Sequence, residues 1–324
     1  MEIKTYSESE RKEILSNIDH PLNKSNINSI QTISISGIKE LYKIITNQEK
    51  QGLNAPFVFK KILNLDPEID EKLQNHEGKI HNNLRHLNLC TELKTMGKYK
   101  DSVQKEYLYM IFEYYEQSLK SIFDNRIQSK WGQQLEKCIN YIILLVNILE
   151  LLQQKGYVHL CIRPSCIFIG KNSNVLLGDM SCLWKREKLK ANNCLIISNI
   201  AYTSPEICEH ISNSTIFQNH NLYCASAYSV AKICLQLLTT SDELTMLNLM
   251  SDTEVEKFMC KFAFDDNKNY AKFIILIKTL LAENPLERFD FISFKILLNE
   301  MNILSKEELI KRIEEEIYQS QSTI

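Results

Sequence analysis

No run of apolar residues in this 324-residue chain is long enough to cross a bilayer. The longest, Tyr141 to Leu152, is broken by Asn147 and Glu150. Basic surplus is lacking too. Lys and Arg number 38 against 40 Asp and Glu, a formal charge of -2, which argues against nucleic acid or a membrane as partner. The ten cysteines form no CxxC pair and no regular framework. The opening run MEIKTYSESERKE lacks the apolar core of a secretory signal. Together these absences predict reduced thiols and a cytoplasmic location. What is present, 44% hydrophobic and 24% charged residues, is ordinary globular composition, with length for one large domain or two lobes.

Residues 1 to 29 are polar and read as a tail. From Thr32 to Lys61 the short runs ISI, LYKII and FVFKKI, rich in Ile, Val, Phe and Tyr, predict strands. A charged stretch from Pro67 to Leu87, with Ile80 and Leu84 at i,i+4, predicts a helix. Tyr107 to Tyr114 (YLYMIFEY) reads as a strand buried on both faces.

The pattern then turns helical. Gln134 to Lys155 is amphipathic and stops at Gly156, a good residue just past a helix end. Tyr228 to Leu238 is apolar nearly all round and predicts a central buried helix. Phe273 to Leu281 and Phe291 to Met301 flank NPLERF, and a last helix is predicted from Ser305, with Leu309, Ile313 and Ile317 on one face. No internal repeat is found. Strands first and helices afterwards favour an α+β fold in two lobes over alternating βαβ units.

Residues 157 to 181, YVHLCIRPSCIFIGKNSNVLLGDMS, resemble the catalytic segment of protein kinases, H-R-D-L-K-P-x-N-I-L followed by a hairpin and D-F-G. Here the matching positions are His159, Leu160, Cys161, Ile162, Arg163, Pro164, Ser165, Cys166, Ile167 and Phe168, then Asp179, Met180 and Ser181. Five further resemblances follow the family order. FVFKK is similar to V-A-I-K, making Lys60 the phosphate-pairing lysine, and Glu77 resembles its carboxylate partner on the following helix. YLYMIFEYYEQSLKSIF resembles the strand and hinge, with Phe112 as gatekeeper and Glu113 to Tyr115 at the hinge. AYTSPE and NPLERF resemble A-P-E and D-P-x-x-R-P, keeping Glu206 and Arg288. The resemblance covers roughly residues 32 to 302 and implies a bilobal α+β fold. The smaller lobe would be an antiparallel sheet with one helix over 30–113, and the larger a mainly helical lobe over 114–302, with a helical extension over 303–324.

The resemblance also implies what phosphoryl transfer needs, which is mostly positioning and charge neutralisation. Ser34, Ser36 and Lys39 stand at the three glycines of the phosphate loop, with Gly37 one residue off. Cys161 replaces the catalytic aspartate, and Cys166 the asparagine that holds a second magnesium. Asp179 is the metal ligand that remains. A positioned general base contributes ~10²–10⁴-fold, so its loss predicts little or no transfer. The expectation is a pseudokinase that binds another protein as a scaffold or allosteric partner and requires no cofactor. Its alternative is an atypical Ser/Thr-type kinase or an ATP sensor. In that alternative Lys60, Glu77, Glu113, Tyr115 and Asp179 form the nucleotide site, and Asp179 is the candidate magnesium ligand. His159, Glu206 and Arg288 are expected to be structural. Cys161 and Cys166 read as small fillers rather than ligands, and Ser181 predicts that the D-M-S segment keeps one conformation.

Overall fold

A computed structural model describes residues 27–35, 39–46, 56–62, 67–100, 106–125, 131–170, 172–190, 200–213, 221–238 and 276–300. Ser36 and Gly37, the chain before residue 27 and the helix expected from Ser305 lie outside the described residues. The chain divides into two units, 1–116 and 117–324.

The first unit is an antiparallel sheet of β1 (Ile27–Ile35), β2 (Lys39–Thr46), β3 (Phe57–Ile62), β4 (Leu93–Lys100) and β5 (Glu106–Glu113), ordered β1-β2-β3-β5-β4. One helix, α1 (Pro67–Leu84), lies between β3 and β4 in the chain. Strand period two sorts the side chains of β3 onto two faces. Phe57 and Phe59 go to one face, where Phe59 stacks on Tyr109 with centroids 5.7 Å apart. Ile62 goes to the other and clusters with Leu108, Met110 and Phe112. Lys60 shares that second face, opposite Met110 in the β3–β5 register. As expected, β5 is buried on both faces from Tyr107 to Phe112.

The strand β4 has no counterpart among the runs read from the sequence. It is the edge of the sheet, where Lys94 and Lys98 keep the strand polar and discourage further pairing. Gly97 is required there, because a Cβ would sit 2.9 Å from the Tyr109 hydroxyl. Gln74 on α1 ties helix to sheet, its Nε2 donating to the carbonyls of Gly97 at 3.0 Å and Tyr109 at 2.9 Å.

The second unit begins with β6 (Gln117–Ser118) and α2 (Leu119–Asn125), then the long α3 (Trp131–Gln154). The latter buries Ile142, Leu145, Val146, Leu149 and Leu152. It ends where the sequence predicts: Gly156 adopts φ 73° and its N–H reaches the Gln153 carbonyl at 2.8 Å. The short strands β7 (Tyr157–His159), β8 (Ile167–Ile169), β9 (Val175–Leu177) and β10 (Leu183–Lys185) follow. They form two small sheets, β10-β7 and β6-β8-β9. Among the described residues the α-helical elements that follow are α4 (Pro205–Asn213), α5 (Leu222–Leu238), a helical turn at 276–280 and α6 (Phe291–Glu300). The helix expected from Tyr228 thus starts six residues earlier, at Leu222, within a stretch whose small residues Ala225 and Ala227 pack as tightly as its large ones.

Two polar devices brace this unit. Gln153 at the end of α3 donates to Asp290 at 2.7 Å and accepts from the Phe291 N–H at 3.0 Å, fixing the start of α6. The Arg288 guanidinium meets Glu206 with two bonds, 2.7 and 3.1 Å, joining two of the kept motif positions. Arg288 also donates to the carbonyls of Ala282 and Glu283 and lies 4.8 Å from the Tyr228 ring centre. Its side chain is fully buried. Removing one partner strands the other charge out of water. Glu206→Gln or Arg288→Met should therefore lower unfolding free energy by about 3–5 kcal/mol, measured by urea denaturation of the whole chain. A loss below about 1 kcal/mol would put this pair with weak surface bridges.

Candidate functional site

Lys60, Glu77, Glu113 and Tyr115 belong to the first unit, and His159, Cys161, Cys166, Asp179, Glu206 and Arg288 to the second. Within the first, the face of β3 that carries Lys60 is covered by α1, and the Lys60 ammonium meets the Glu77 carboxylate at 2.5 Å. Both side chains are almost wholly removed from solvent, at 7% and 3% exposed, so each requires the other.

One turn beyond Glu77, His81 is buried in the same wall, its ring 5.3 Å from that of Phe112. Burial, reinforced by the nearby Lys60 charge and opposed by Glu77, pushes its pKa down to about 4. Sequence reasoning missed His81. The available signal was its i,i+4 spacing from Glu77, on the face that also carries Ile80 and Leu84.

Glu113 and Tyr115 come together at the end of β5, the Tyr115 hydroxyl 3.4 Å from Glu113 Oε2. Lys94 stands between Glu92 at 2.6 Å and Glu113 at 3.8 Å. Burial, with help from the Glu113 charge, raises the Tyr115 phenol to about 12. It is a neutral hydroxyl at physiological pH.

In the second unit the loop 161–166 and the turn 179–182 are brought side by side by two short pairings. β7 pairs with β10, placing His159 opposite Leu183, and the β8–β9 hairpin returns the chain so that the Gly178 N–H reaches the Cys166 carbonyl at 2.7 Å. Behind them Val158 and Leu160 sit in a cluster with Ile207, Leu222 and Tyr223, and Ser226 of α5 holds the His159 carbonyl at 2.9 Å. His159 itself is buried between loop and turn. Its Nδ1 accepts from the Cys161 N–H and its Nε2 faces the Gly178 carbonyl, each at 3.3 Å, the pattern of a neutral ring protonated on Nε2. Complete burial holds its pKa down at about 4.

Asp179 occupies the left-handed region, φ 56°, which aspartate tolerates better than most residues. Its Oδ1 accepts from Ser181 Oγ at 2.8 Å, while its Oδ2 takes an ion pair from Arg163 Nη2. The same guanidinium donates from Nη1 to the Cys161 sulfur at 2.8 Å and from Nε to Ser165 Oγ at 3.0 Å. Arg163 therefore connects two of the positions singled out by the sequence, Cys161 and Asp179. Burial acts to lower its pKa, but the charge of Asp179 carries it above its ordinary value.

Cys166 is also engaged, accepting from the Arg163 N–H at 3.2 Å and donating to the Arg163 carbonyl at 3.0 Å. Burial drives its thiol up to about 12, so it stays neutral. Met180 is fully buried, and Cys182 is buried with its sulfur 3.9 Å from Ser181 Oγ. Such a cluster offers magnesium one carboxylate and sulfur, unlike the oxygen-rich shell that ion takes. Among the described residues no group of three or more His, Cys, Asp or Glu side chains could hold a metal ion.

The two histidines fix the sign of an acid response. Each has a folded-state value near 4, below the ordinary 6.5, so the folded chain binds fewer protons than the unfolded one in that window. Their contribution is complete above pH 6.5 and is lost as pH falls towards 4. Melting temperature should drop through this range, and imidazole NMR signals of His81 and His159 should remain those of neutral rings until about pH 4. Titration of either ring near 6.5 would contradict this placement.

Comparison with known sequences agrees with the geometry. The model of the protein kinase domain family matches residues 39–300, most of the chain. The chain is similar to the serine/threonine-protein kinase MRCK gamma of Mus musculus, with 29% identity over 110 residues covering 32% of this chain. It is likewise similar to that of Homo sapiens, with 28% identity over 110 residues and the same 32% share. The match spans 7% of the length of each of these relatives. With the family's span, the five-stranded sheet carrying a lysine–glutamate pair and the helical unit braced by Glu206 and Arg288, this chain belongs to the protein kinase domain family.

Proposed function

We propose that this protein kinase domain acts by binding another protein, as a pseudokinase-like scaffold or allosteric partner, with little or no phosphoryl transfer. The observation that carries this reading is Cys161. At the position where the family resemblance requires an aspartate, a buried thiol sits against a guanidinium, and no carboxylate is present to take a substrate hydroxyl's proton. A general base is worth ~10²–10⁴-fold, and the second metal-holding position has become the neutral thiol of Cys166. The reading needs no cofactor, takes another protein rather than nucleic acid or membrane as partner, and places the chain in the cytoplasm.

A second reading has one observation in its favour. The Lys60–Glu77 pair keeps the arrangement that the family uses to hold nucleotide phosphates, and the similar MRCK gamma proteins are named as serine/threonine kinases. This supports an ATP sensor or an atypical Ser/Thr-type kinase that uses Lys60, Glu77 and Asp179.

Two assays on the purified chain separate them. In a phosphate-release and protein-labelling assay with ATP and magnesium, the signal should equal the blank and stay unchanged in Asp179→Ala; turnover abolished by that change would defeat the proposal. In a thermal-shift titration, a nucleotide held at 100 times its Kd would add about 2.7 kcal/mol of stability. The binding-module reading expects no saturating shift at millimolar ATP, whereas a shift removed by Lys60→Ala would favour the sensor.

A further inference from the structure

Asp179 is the one carboxylate left at the positions where the family resemblance places metal ligands, yet both of its oxygens are already engaged. Oδ1 holds the Ser181 hydroxyl at 2.8 Å and Oδ2 holds the Arg163 guanidinium. The pair is sheltered, with the Arg163 side chain 14% and the Asp179 side chain 9% exposed, so little water screens it. The guanidinium is itself fixed from three sides: Cys161 sulfur at 2.8 Å, Ser165 Oγ at 3.0 Å and Asp179. Its backbone is fixed as well, through the two contacts with the Cys166 sulfur.

Charge counting gives the consequence. A cation binds where carboxylates leave a negative surplus, as hard-metal sites do with several oxygen ligands. Here one positive and one negative side chain cancel. To seat on Asp179, a divalent ion would have to displace a fixed guanidinium, and the freed positive charge would remain within a few ångströms of it, repelling it. The thiols of Cys161 and Cys166 offer no oxygen in return.

We infer that Arg163 is a built-in cation that takes the place of a divalent metal at Asp179, closing that carboxylate to magnesium and pinning the turn 179–182. The inference rests on the reading of this chain as a kinase domain that does not transfer phosphate, and it adds the specific device that replaces the metal. It also gives Cys161 a present role, as the sulfur that steers the guanidinium towards Asp179.

The test uses manganese alone, without nucleotide, on the full chain, with binding followed by the loss of free-ion electron paramagnetic resonance signal and by melting temperature. Wild type should show no saturable binding in the low millimolar range. Arg163→Gln, which removes the positive charge and sets an amide oxygen beside the freed Asp179 Oδ2, should gain a saturable site at least about tenfold tighter than any wild-type binding, and Arg163→Gln with Asp179→Asn should lose it again. Saturable binding by wild type that Asp179→Asn removes would overturn the inference. So would a folded Arg163→Gln that binds no better than wild type. Should Arg163→Gln not fold, Arg163→Asn replaces it. It likewise removes the positive charge beside Asp179, so manganese should again bind more tightly than to wild type, and the absence of any gain overturns the inference. Metal binding and ATP turnover are read separately: turnover in wild type without manganese binding defeats the functional reading alone, and manganese binding without turnover defeats this inference alone.

Discussion

A charge taken out of water must meet an opposite charge or enough hydrogen bonds to replace its hydration, and this constraint organises both units of the chain. Lys60, Arg163 and Arg288 are sheltered cations, and each is matched by a carboxylate brought from a distant part of the sequence: Glu77, Asp179 and Glu206. The first pair fixes a helix on a sheet, the second fixes a turn beside a loop, and the third joins the start of α4 to the segment before α6. None is a strong net source of stability when compared with apolar packing. Each is costly to break by halves, and that asymmetry keeps both members in place.

The same constraint distinguishes positions that folding holds in place from positions that it does not. Glu206 and Arg288 are held by the energetics of folding, irrespective of catalysis. Positions 161 and 166 of the loop carry no such buried charge. There Cys161 and Cys166 fill small buried spaces, and their sulfurs accept or donate weak bonds within the loop. The neutral His159 keeps its ties to the Cys161 N–H and the Gly178 carbonyl, preserving the frame of the loop and the turn. A guanidinium at the next position in that frame then settles on the remaining carboxylate.

Much of the architecture was legible in the sequence because it follows from local pattern. The alternation in FVFKKI, the unbroken burial of YLYMIF and the stop at Gly156 each depend on residues within a few positions of one another. Elements shaped by their place in the whole were not. β4 escaped because an edge strand is polar for reasons of negative selection against pairing, which makes LKTMGKYK read as a loop. α4, PEICEHISN, is short, and its burial of Ile207 against Val158 and Leu222 depends on distant chain.

The sequence by itself determined the fold class, with strands first and helices afterwards, and the family. These depend on residue type and spacing, which one-dimensional pattern carries. It also identified Glu77 as the partner of Lys60, through the family resemblance. Only the tertiary structure decided what Asp179 touches. Arg163 lies sixteen residues away in the chain, and no periodicity links them. Their meeting depends on a hairpin returning Gly178 to Cys166 and on β7 pairing with β10, long-range contacts that exist only once the unit has folded. His81 tells the same story from the other unit, since its neutrality follows from a wall formed by β5 and Lys60 rather than from its neighbours in sequence.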